Sequence, residues 1–173
     1  LVYGKSKLLG EIKISSTIDK FFIFRISWLF GGKDNNFIYK MLNFINHNKT
    51  IKIVSDQRGI PTCANELSKN LWTILNDNEL INKAGLYHYC GKGETTTWYD
   101  MALFISKYLV KKGFNFPEIY PCKTVDYKSD ALRPMNSCFN TSKINNTFSL
   151  QQDSWKNNIK RVIDNYIINK ENK

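Results

Sequence analysis

The chain has 173 residues and a formal net charge of +10, with 42% hydrophobic and 23% charged residues. This length allows one domain with a sizeable core, and no stretch approaches the ~20 apolar residues that cross a bilayer. The basic residues are scattered and mostly lysine, which favours a solvated basic surface over a nucleic-acid interface. The sequence does not begin with Met and opens with a polar helix rather than a signal peptide, so we expect a fragment of a longer protein.

The first half of the sequence alternates helix and strand patterns, which predicts a layered α/β protein. In chain order, the predicted elements are a helix over 3–16, a strand over 21–27, a loop over 31–36, a helix over 37–46, a strand over 50–54 and a turn-rich loop over 55–62. The first helix has Leu8, Leu9 and Ile12 on its apolar side. The apolar strand that follows is of the kind buried on both faces in a parallel sheet.

The second half continues the alternation. Its predicted elements are a helix over 65–76, a strand over 85–90, a helix over 97–111 capped by Thr96, an extended segment over 118–123 and a helix over 154–168. The inward side of the helix over 65–76 is predicted to carry Leu67, Leu71, Trp72 and Leu75. The segment 125–146 has little periodicity, and a structureless stretch of that length is usually functional or poorly ordered.

The cysteine and histidine residues do not suggest a metal site. Their spacing includes no Cys-x-x-Cys and no nearby histidine pair, which makes zinc ligation unlikely; the four cysteines are Cys63, Cys90, Cys122 and Cys138. We expect free, mostly buried thiols in a reducing cytoplasm. His88 lies in an apolar strand and is predicted to pack in the core, whereas His47, near a helix end, is predicted to complement the helix dipole.

Tyr3 and Lys7 are four residues apart at the start of the sequence. On a helix this spacing puts a phenol and an ammonium on one face, about 5–6 Å apart at Cβ. A free tyrosine titrates near pH ~10, and a neighbouring cation favours the phenolate. A tyrosine tuned in this way exchanges a proton with a carbonyl or alcohol oxygen while a cofactor handles the hydride. Tyr-x-x-x-Lys is the signature of short-chain dehydrogenase/reductases, but the same spacing occurs in ordinary amphipathic helices.

Four further segments, at the ends of predicted elements, contain polar residues or glycines that could contact a ligand. They are Arg25–Gly31, Asn35–Phe37, Asp56–Thr62 and Arg133–Ser137. Ligands of open α/β sheets bind beyond the carboxyl ends of strands, where the first and third of these segments fall. Arg25 lies within an apolar strand, and a guanidinium there needs a partner.

Taken in this order, the segments resemble the dTDP-4-dehydrorhamnose reductase family, within the extended short-chain dehydrogenase/reductases. The resemblance spans nearly the whole chain and also includes Gly85–His88, Gly93–Tyr99 and the helix at Trp155. It implies a partial Rossmann-like α/β fold with a small α+β substrate-binding region. Residues 1–62 would form the carboxyl-terminal portion of the Rossmann-like domain, and residues 63–173 would form most of the substrate-binding region.

The family performs an NADPH-dependent reduction of dTDP-4-dehydro-L-rhamnose to dTDP-L-rhamnose, which feeds cell-surface polysaccharide. The resemblance implies that this chain is the carboxyl-terminal part of such an enzyme. The glycine-rich turn that holds the dinucleotide diphosphate is absent from the sequence, so by itself the chain is expected to bind NADPH or NADH poorly and to be inactive. Its implied partners are a dTDP-sugar and the amino-terminal half of the same protein, and a homodimer is left open.

The resemblance also assigns roles residue by residue. Tyr3 would protonate the C4 oxygen of the substrate as hydride arrives at C4, and Lys7 would favour the phenolate and hydrogen-bond the nicotinamide ribose. Ser27 would lie near the nicotinamide. The implied substrate-binding residues are Trp28 at the deoxysugar, Asn36, Gln57 and Arg133 at the diphosphate.

Each of these substrate-binding residues also has a structural interpretation. Trp28 could be a core tryptophan, Asn36 a helix cap and Gln57 part of a turn. A guanidinium matches phosphate oxygens bidentately, but Arg133 could instead form a surface salt bridge.

The sequence departs from the family pattern in one place. Some family members hold Mg²⁺ at a dimer contact through a glutamate, where this sequence has Asn65 followed by Glu66. A neutral amide is a poor ligand for Mg²⁺, so we expect no metal.

The main alternative function is a non-catalytic nucleotide-sugar-binding or regulatory homologue, like the regulatory subunit of methionine adenosyltransferase; nucleic-acid binding is remote.

Overall fold

The computed structural model describes residues 2–32, 36–47, 49–127 and 133–171, which form an α/β structure as predicted. The helices are α1 (Val2–Thr17), α2 (Phe37–Leu42), α3 (Ala64–Leu75), α4 (Trp98–Lys111), α5 (Ser142–Phe148) and α6 (Trp155–Glu171). The strands are β1 (Phe22–Ile26), β2 (Leu29–Phe30), β3 (Ile51–Val54), β4 (Arg58–Gly59), β5 (Thr62–Cys63), β6 (Gly85–Tyr89), β7 (Thr96–Thr97), β8 (Ile119–Cys122) and β9 (Asn136–Ser137).

The strands pair mostly in parallel, as expected where helices connect them. β1 runs parallel to β6, β2 to β5 and β3 to β8. β4 lies between β7, to which it is antiparallel, and β9, to which it is parallel. This three-stranded sheet joins segments that are far apart in sequence, and it brings the loop before β9 next to the loop before β4.

Two hydrophobic cores hold the fold together. The larger one lies among α2, α4 and α6 and includes the fully buried Ile38, Ile105 and Ile159. The smaller one packs α5 against β6 through Ile144 and Tyr87. None of the helices within the described ranges is both long and apolar enough to span a lipid bilayer.

The predicted positions of α1 and β1 in the sequence are confirmed, but their side chains are less buried than predicted. α1 has no buried side chain, and its predicted apolar residues Leu8, Leu9 and Ile12 are exposed. All five residues of β1 are half-buried, not buried on both faces as predicted. The physical reason is that, within the described residues, β1 is hydrogen-bonded to β6 on one edge and no further layer covers α1.

The inward face of α3 differs from the prediction. Trp72 is 69% exposed and Leu75 54% exposed, whereas Asn70 and Ile74 are buried. Burial of the Asn70 amide is tolerated because its Nδ2 donates to the Tyr89 hydroxyl at 2.8 Å. Leu67 and Leu71 are half-buried, and Leu67 packs against the smaller core, so the prediction is confirmed for these two residues and wrong for Trp72 and Leu75.

Several predicted boundaries change for local reasons. α2 ends at Leu42 because the chain then forms turns that close with Asn46 in a left-handed conformation, its N–H bonded to the Asn115 carbonyl. Thr97 caps α4 in place of Thr96, and its Oγ1 accepts from the Asp100 N–H. The segment predicted to be structureless contains β9 and most of α5, although residues 128–132 of it lie outside the described ranges.

Candidate functional site

The start of α1 places Tyr3 and Lys7 side by side, as their spacing predicts. The Lys7 Nζ lies 5.4 Å from the centroid of the Tyr3 ring, a cation–π distance. Both side chains are exposed, Tyr3 by 74%. Neither the hydroxyl nor the ammonium makes a hydrogen bond to a described residue, so both remain available to a ligand.

A two-point ion pair links this helix to β1. Arg25 Nε donates to Glu11 Oε1 at 2.8 Å, and Nη2 donates to Oε2 at 2.5 Å. The hydrogen bonds from Arg25 lower the pKa of Glu11 and raise that of Arg25. The prediction that Arg25 needs a partner is confirmed, although the sequence reasoning did not identify Glu11 as that partner.

Beyond the end of β1, Trp28 forms an aromatic platform with a second tryptophan. Its indole stacks on that of Trp98 with ring centroids 3.9 Å apart and an interplanar angle of 16°. Trp28 has a φ of +49°, a conformation that costs free energy in a residue with a side chain. Such outliers persist where the surrounding structure fixes them, here by stacking on one side and by Gly59 on the other.

Ser27 and Gln57 are both buried beside this platform. The Ser27 carbonyl accepts from Thr62 Oγ1 at 2.6 Å, which ties the end of β1 to β5. Gln57 uses both ends of its amide: Oε1 accepts from the Trp98 indole, and Nε2 donates to Thr124 Oγ1, each at 3.2 Å. Gln57 therefore holds Trp98 in place.

Hydrogen bonds also extend this network beyond Gln57. The Thr124 hydroxyl donates to Asp56 Oδ1 at 2.6 Å, and the pKa of Asp56 is lowered mainly by that bond. Sequence reasoning missed both Trp98 and Thr124. Trp98 lies in the run 93–99 that supported the family resemblance, so a signal for it was present, whereas nothing marks Thr124.

The remaining predicted site residues have different surroundings. Asn36 caps α2: its Oδ1 accepts from the Ile38 and Tyr39 N–H groups, and its Nδ2 donates to the Gly31 carbonyl. The capping interpretation is therefore confirmed, and a ligand role remains a prediction. Arg133 is exposed and forms no ion pair with another described residue.

A cavity of about 860 Å³ lies elsewhere, between α3 and α6. Its walls include Glu66, Asp153, Asn158 and Arg161, but none of the predicted catalytic or substrate-binding residues. Glu66 Oε1 accepts from the Asp153 N–H and from Asn158 Nδ2, while Oε2 is buried without a hydrogen-bond partner.

Within the described part of one chain, the residues around Glu66 do not complete a Mg²⁺ site. One of the two Glu66 oxygens is already used by N–H donors, and the neighbouring Asn65 offers no carboxylate. Mg²⁺ requires a near-octahedral set of oxygen ligands, and no cluster of three His, Cys, Asp or Glu residues occurs in the described part of the chain.

The cysteines and histidines occupy structural positions. All four cysteines are free, and burial raises the pKa of Cys90 to about 11. His88 is half-buried and stacks on Phe139 with ring centroids 4.7 Å apart. His47 contacts the edge of Phe44 in the turn after α2.

Comparison with solved structures supports the same architecture. The dTDP-4-dehydrorhamnose reductase of Bacillus anthracis, solved in complex with NADP, superposes on this chain with a TM-score of 0.80 at 30% sequence identity. The dTDP-4-dehydrorhamnose reductase of Clostridium acetobutylicum superposes with a TM-score of 0.81 at 30% sequence identity. These matches cover 95% and 94% of this chain, but 55% and 54% of the solved ones. A UDP-glucuronic acid 4-epimerase of Bacillus cereus shares the fold with a TM-score of 0.70 at 18% identity.

Sequence comparison identifies the family. The dTDP-4-dehydrorhamnose reductases of Salmonella typhimurium and Escherichia coli K12 are 37% and 36% identical over 168 residues. Each match covers 94% of this chain and 55% of the relative, so the chain spans about half the length of these curated relatives. Residues 1–168 match the family described as the RmlD substrate binding domain. The chain belongs to this family, that of the dTDP-4-dehydrorhamnose reductases.

Proposed function

We propose that this chain is the carboxyl-terminal catalytic and substrate-binding part of an NADPH-dependent reductase that converts dTDP-4-dehydro-L-rhamnose to dTDP-L-rhamnose. The observation that carries the proposal is the Tyr3–Lys7 pair, whose phenol and ammonium share one helix face without hydrogen-bonded partners among the described residues. The relatives are dTDP-4-dehydrorhamnose reductases, which supports this choice of reaction. The product supplies rhamnose for cell-surface polysaccharide.

The pair supplies the proton half of the reduction. A nicotinamide cofactor, when bound, would supply the hydride for C4. The Tyr3 hydroxyl donates its proton to the C4 oxygen, so that the carbonyl becomes an alcohol and a phenolate remains on the protein. Lys7, held over the same ring, stabilises that phenolate by its charge. A proton from solvent then restores the Tyr3 hydroxyl and completes the cycle.

The platform and the basic loop would hold the sugar nucleotide. Trp28, whose two ring faces contact Trp98 and Gly59, would offer the exposed edge of its indole to the deoxysugar, whose ring carries a methyl group. Arg133 is free of ion pairs with described residues and would bind the diphosphate through its two-pronged guanidinium. Ser27, buried at the end of β1, would face the nicotinamide, and Asn36 would contribute its amide at the edge of the substrate pocket.

The proposed enzyme needs more protein than these 173 residues. The curated relatives are nearly twice as long as the segment they share with this chain. The missing portion would be the amino-terminal half, with the glycine-rich turn for the dinucleotide, packed on α1 and β1. The exposed leucines of α1 and the half-buried β1 are consistent with such a covering layer. We refer to this chain joined to its own upstream segment as the full-length reductase.

The test replaces the proposed proton donor. In the full-length reductase, assayed with NADPH and the dehydro sugar nucleotide, Tyr3→Phe is expected to lower kcat by about 100-fold or more, while calorimetry finds dTDP affinity nearly unchanged. Tyr120→Phe is the matched control, since Tyr120 is an exposed tyrosine on β8 bonded to Glu118. Equal turnover of the Tyr3→Phe and unsubstituted proteins would refute the proposal.

A further inference from the structure

Glu11 lies on the same stripe of α1 as the proposed catalytic pair. Tyr3, Lys7 and Glu11 follow one another at intervals of four residues, so each is rotated by about 40° from the one before. Lys7 and Glu11 therefore have the spacing at which a lysine and a glutamate form a helix ion pair. In the structure they do not pair: the Lys7 ammonium lies over the Tyr3 ring.

Arg25 is the reason for this choice of partner. Its Nε and Nη2 groups take up one oxygen each of the Glu11 carboxylate. A planar fork of this kind matches a carboxylate better than the ammonium of a lysine does. With both oxygens occupied by Arg25, Glu11 does not draw Lys7 away from Tyr3.

The same ion pair fixes the position of α1 along the direction of β1. A four-residue connection, residues 18–21, joins the two elements. Glu11 lies about 9 Å back from the end of the helix, and Arg25 about 10 Å along the strand, so an antiparallel arrangement brings them level, as the ion pair requires. By the same measure Lys7, about 15 Å from the end of the helix, and Tyr3, one turn further, lie beyond the level of Ile26, the last residue of β1.

We infer that Arg25 is a positioning residue of the reductase: by holding Glu11 it keeps Lys7 on Tyr3 and fixes that pair opposite the end of β1. The inference rests on the proposed function, because it concerns the same reaction. It goes beyond that function by assigning a role to Glu11 and Arg25, which lie outside the proposed catalytic and binding residues. The neighbour of Arg25 across the sheet is His88, which stacks on Phe139 and acts on Glu11 only as a minor charge that helps Arg25 to lower its pKa.

The first arm of the test measures turnover of variants of the full-length reductase. Arg25→Met releases Glu11, which then captures Lys7, and we expect kcat to fall by about 10-fold to 100-fold with the KM for the sugar nucleotide within about twofold of the unsubstituted value. The kcat of Arg25→Lys is expected to lie between those of Arg25→Met and the unsubstituted protein, because one ammonium can hold one carboxylate oxygen. Arg161→Lys is the matched control: it alters another arginine–carboxylate pair, with Asp153, and is expected to leave kcat unchanged.

The decisive variant is the double substitution Arg25→Met with Glu11→Gln. Removing the released carboxylate frees Lys7, so kcat is expected to recover about fivefold or more from the Arg25→Met value. Thermal unfolding of both variants is measured alongside, because a purely structural ion pair predicts that kcat changes only as far as stability does. No recovery, or a rise in KM without a fall in kcat, would overturn the inference.

A second arm does not depend on turnover. The ¹³Cε resonance of Lys7 should shift on Arg25→Met and return in the double variant. If the unsubstituted protein fails to reduce the sugar nucleotide, the proposed reaction is wrong, whereas an unmoved Lys7 resonance defeats the positioning role itself.

Discussion

A Cβ atom built on Gly59 would lie 2.5 Å from Cε2 of Trp28. This separation is far shorter than van der Waals contact, so β4 can pass under the indole because residue 59 has no side chain. Trp28 is in turn held in a left-handed conformation and stacked on Trp98. The tryptophan platform therefore depends on a glycine more than thirty residues further along the chain.

Gly59→Ala should displace that platform. We expect it to lower the free energy of unfolding by about 1–3 kcal/mol, the usual cost of overpacking, and to weaken dTDP-sugar binding as Trp28 moves. Urea denaturation and calorimetric titration measure the two effects. Gly10→Ala is the control: no heavy atom lies within 4 Å of its added Cβ, and alanine favours the middle of α1. Equal stability losses for both variants would contradict the steric argument.

The ion pair between α1 and β1 should give stability a specific dependence on pH. Because Arg25 lowers the pKa of Glu11 below its ordinary value of 4.5, the stabilisation is present above about pH 4.5 and is lost as pH falls through the lower, folded-state pKa. Glu11→Gln should therefore be less stable than the unsubstituted protein at pH 7, by less than about 1 kcal/mol since Arg25 is 40% exposed.

Thermal unfolding at pH 7 and pH 3 measures this difference. We expect it to shrink or vanish at the lower pH, where the Glu11 carboxylate becomes protonated. Glu79→Gln provides the comparison, because the Glu79 side chain forms no ion pair with a described residue. A stability difference that stays constant from pH 7 to pH 3 would show that the carboxylate charge is not the cause.

Local sequence patterns were sufficient for the elements that depend on neighbouring residues. The bounds of α1, β3, β6 and β8 follow from runs of apolar residues and their periodicity, and the contact between Tyr3 and Lys7 follows from one helical turn. The need of Arg25 for a partner follows from the cost of burying an unpaired charge.

Features that depend on distant residues could not be predicted in this way. The pairing of β4 with β7 and β9 joins two-residue strands whose sequences carry no sign of one another. Asn70 can lie on the inward side of α3 because it donates to Tyr89, 19 residues away. For the same reason Trp98 was missed as the support of Trp28, since stacking partners are chosen by the fold and not by spacing.

The buried thiol of Cys90 should resist alkylation in the folded protein. With its pKa raised to about 11 by burial, about one thiol in a thousand is ionised at pH 8, and it is the thiolate that reacts. The half-buried Cys138 should be modified by iodoacetamide before Cys90, which should react fully only after denaturation. Mass spectrometry of peptides over a time course at pH 8 measures both rates, and modification of Cys90 first would show that its surroundings open in solution.

Arg133 should contribute to nucleotide affinity rather than to the chemical step. If its guanidinium binds the diphosphate at two points, Arg133→Gln should weaken dTDP binding to the full-length reductase by about 10-fold to 100-fold, the value of a charge-assisted bidentate contact. Calorimetry with dTDP measures this loss directly, and kcat at saturating substrate should change far less than KM. Lys107→Gln, on the exposed side of α4, removes one positive charge away from the platform and should leave the affinity unchanged. If both variants weaken binding equally, general positive charge attracts the nucleotide, and Arg133 has no specific contact with the diphosphate.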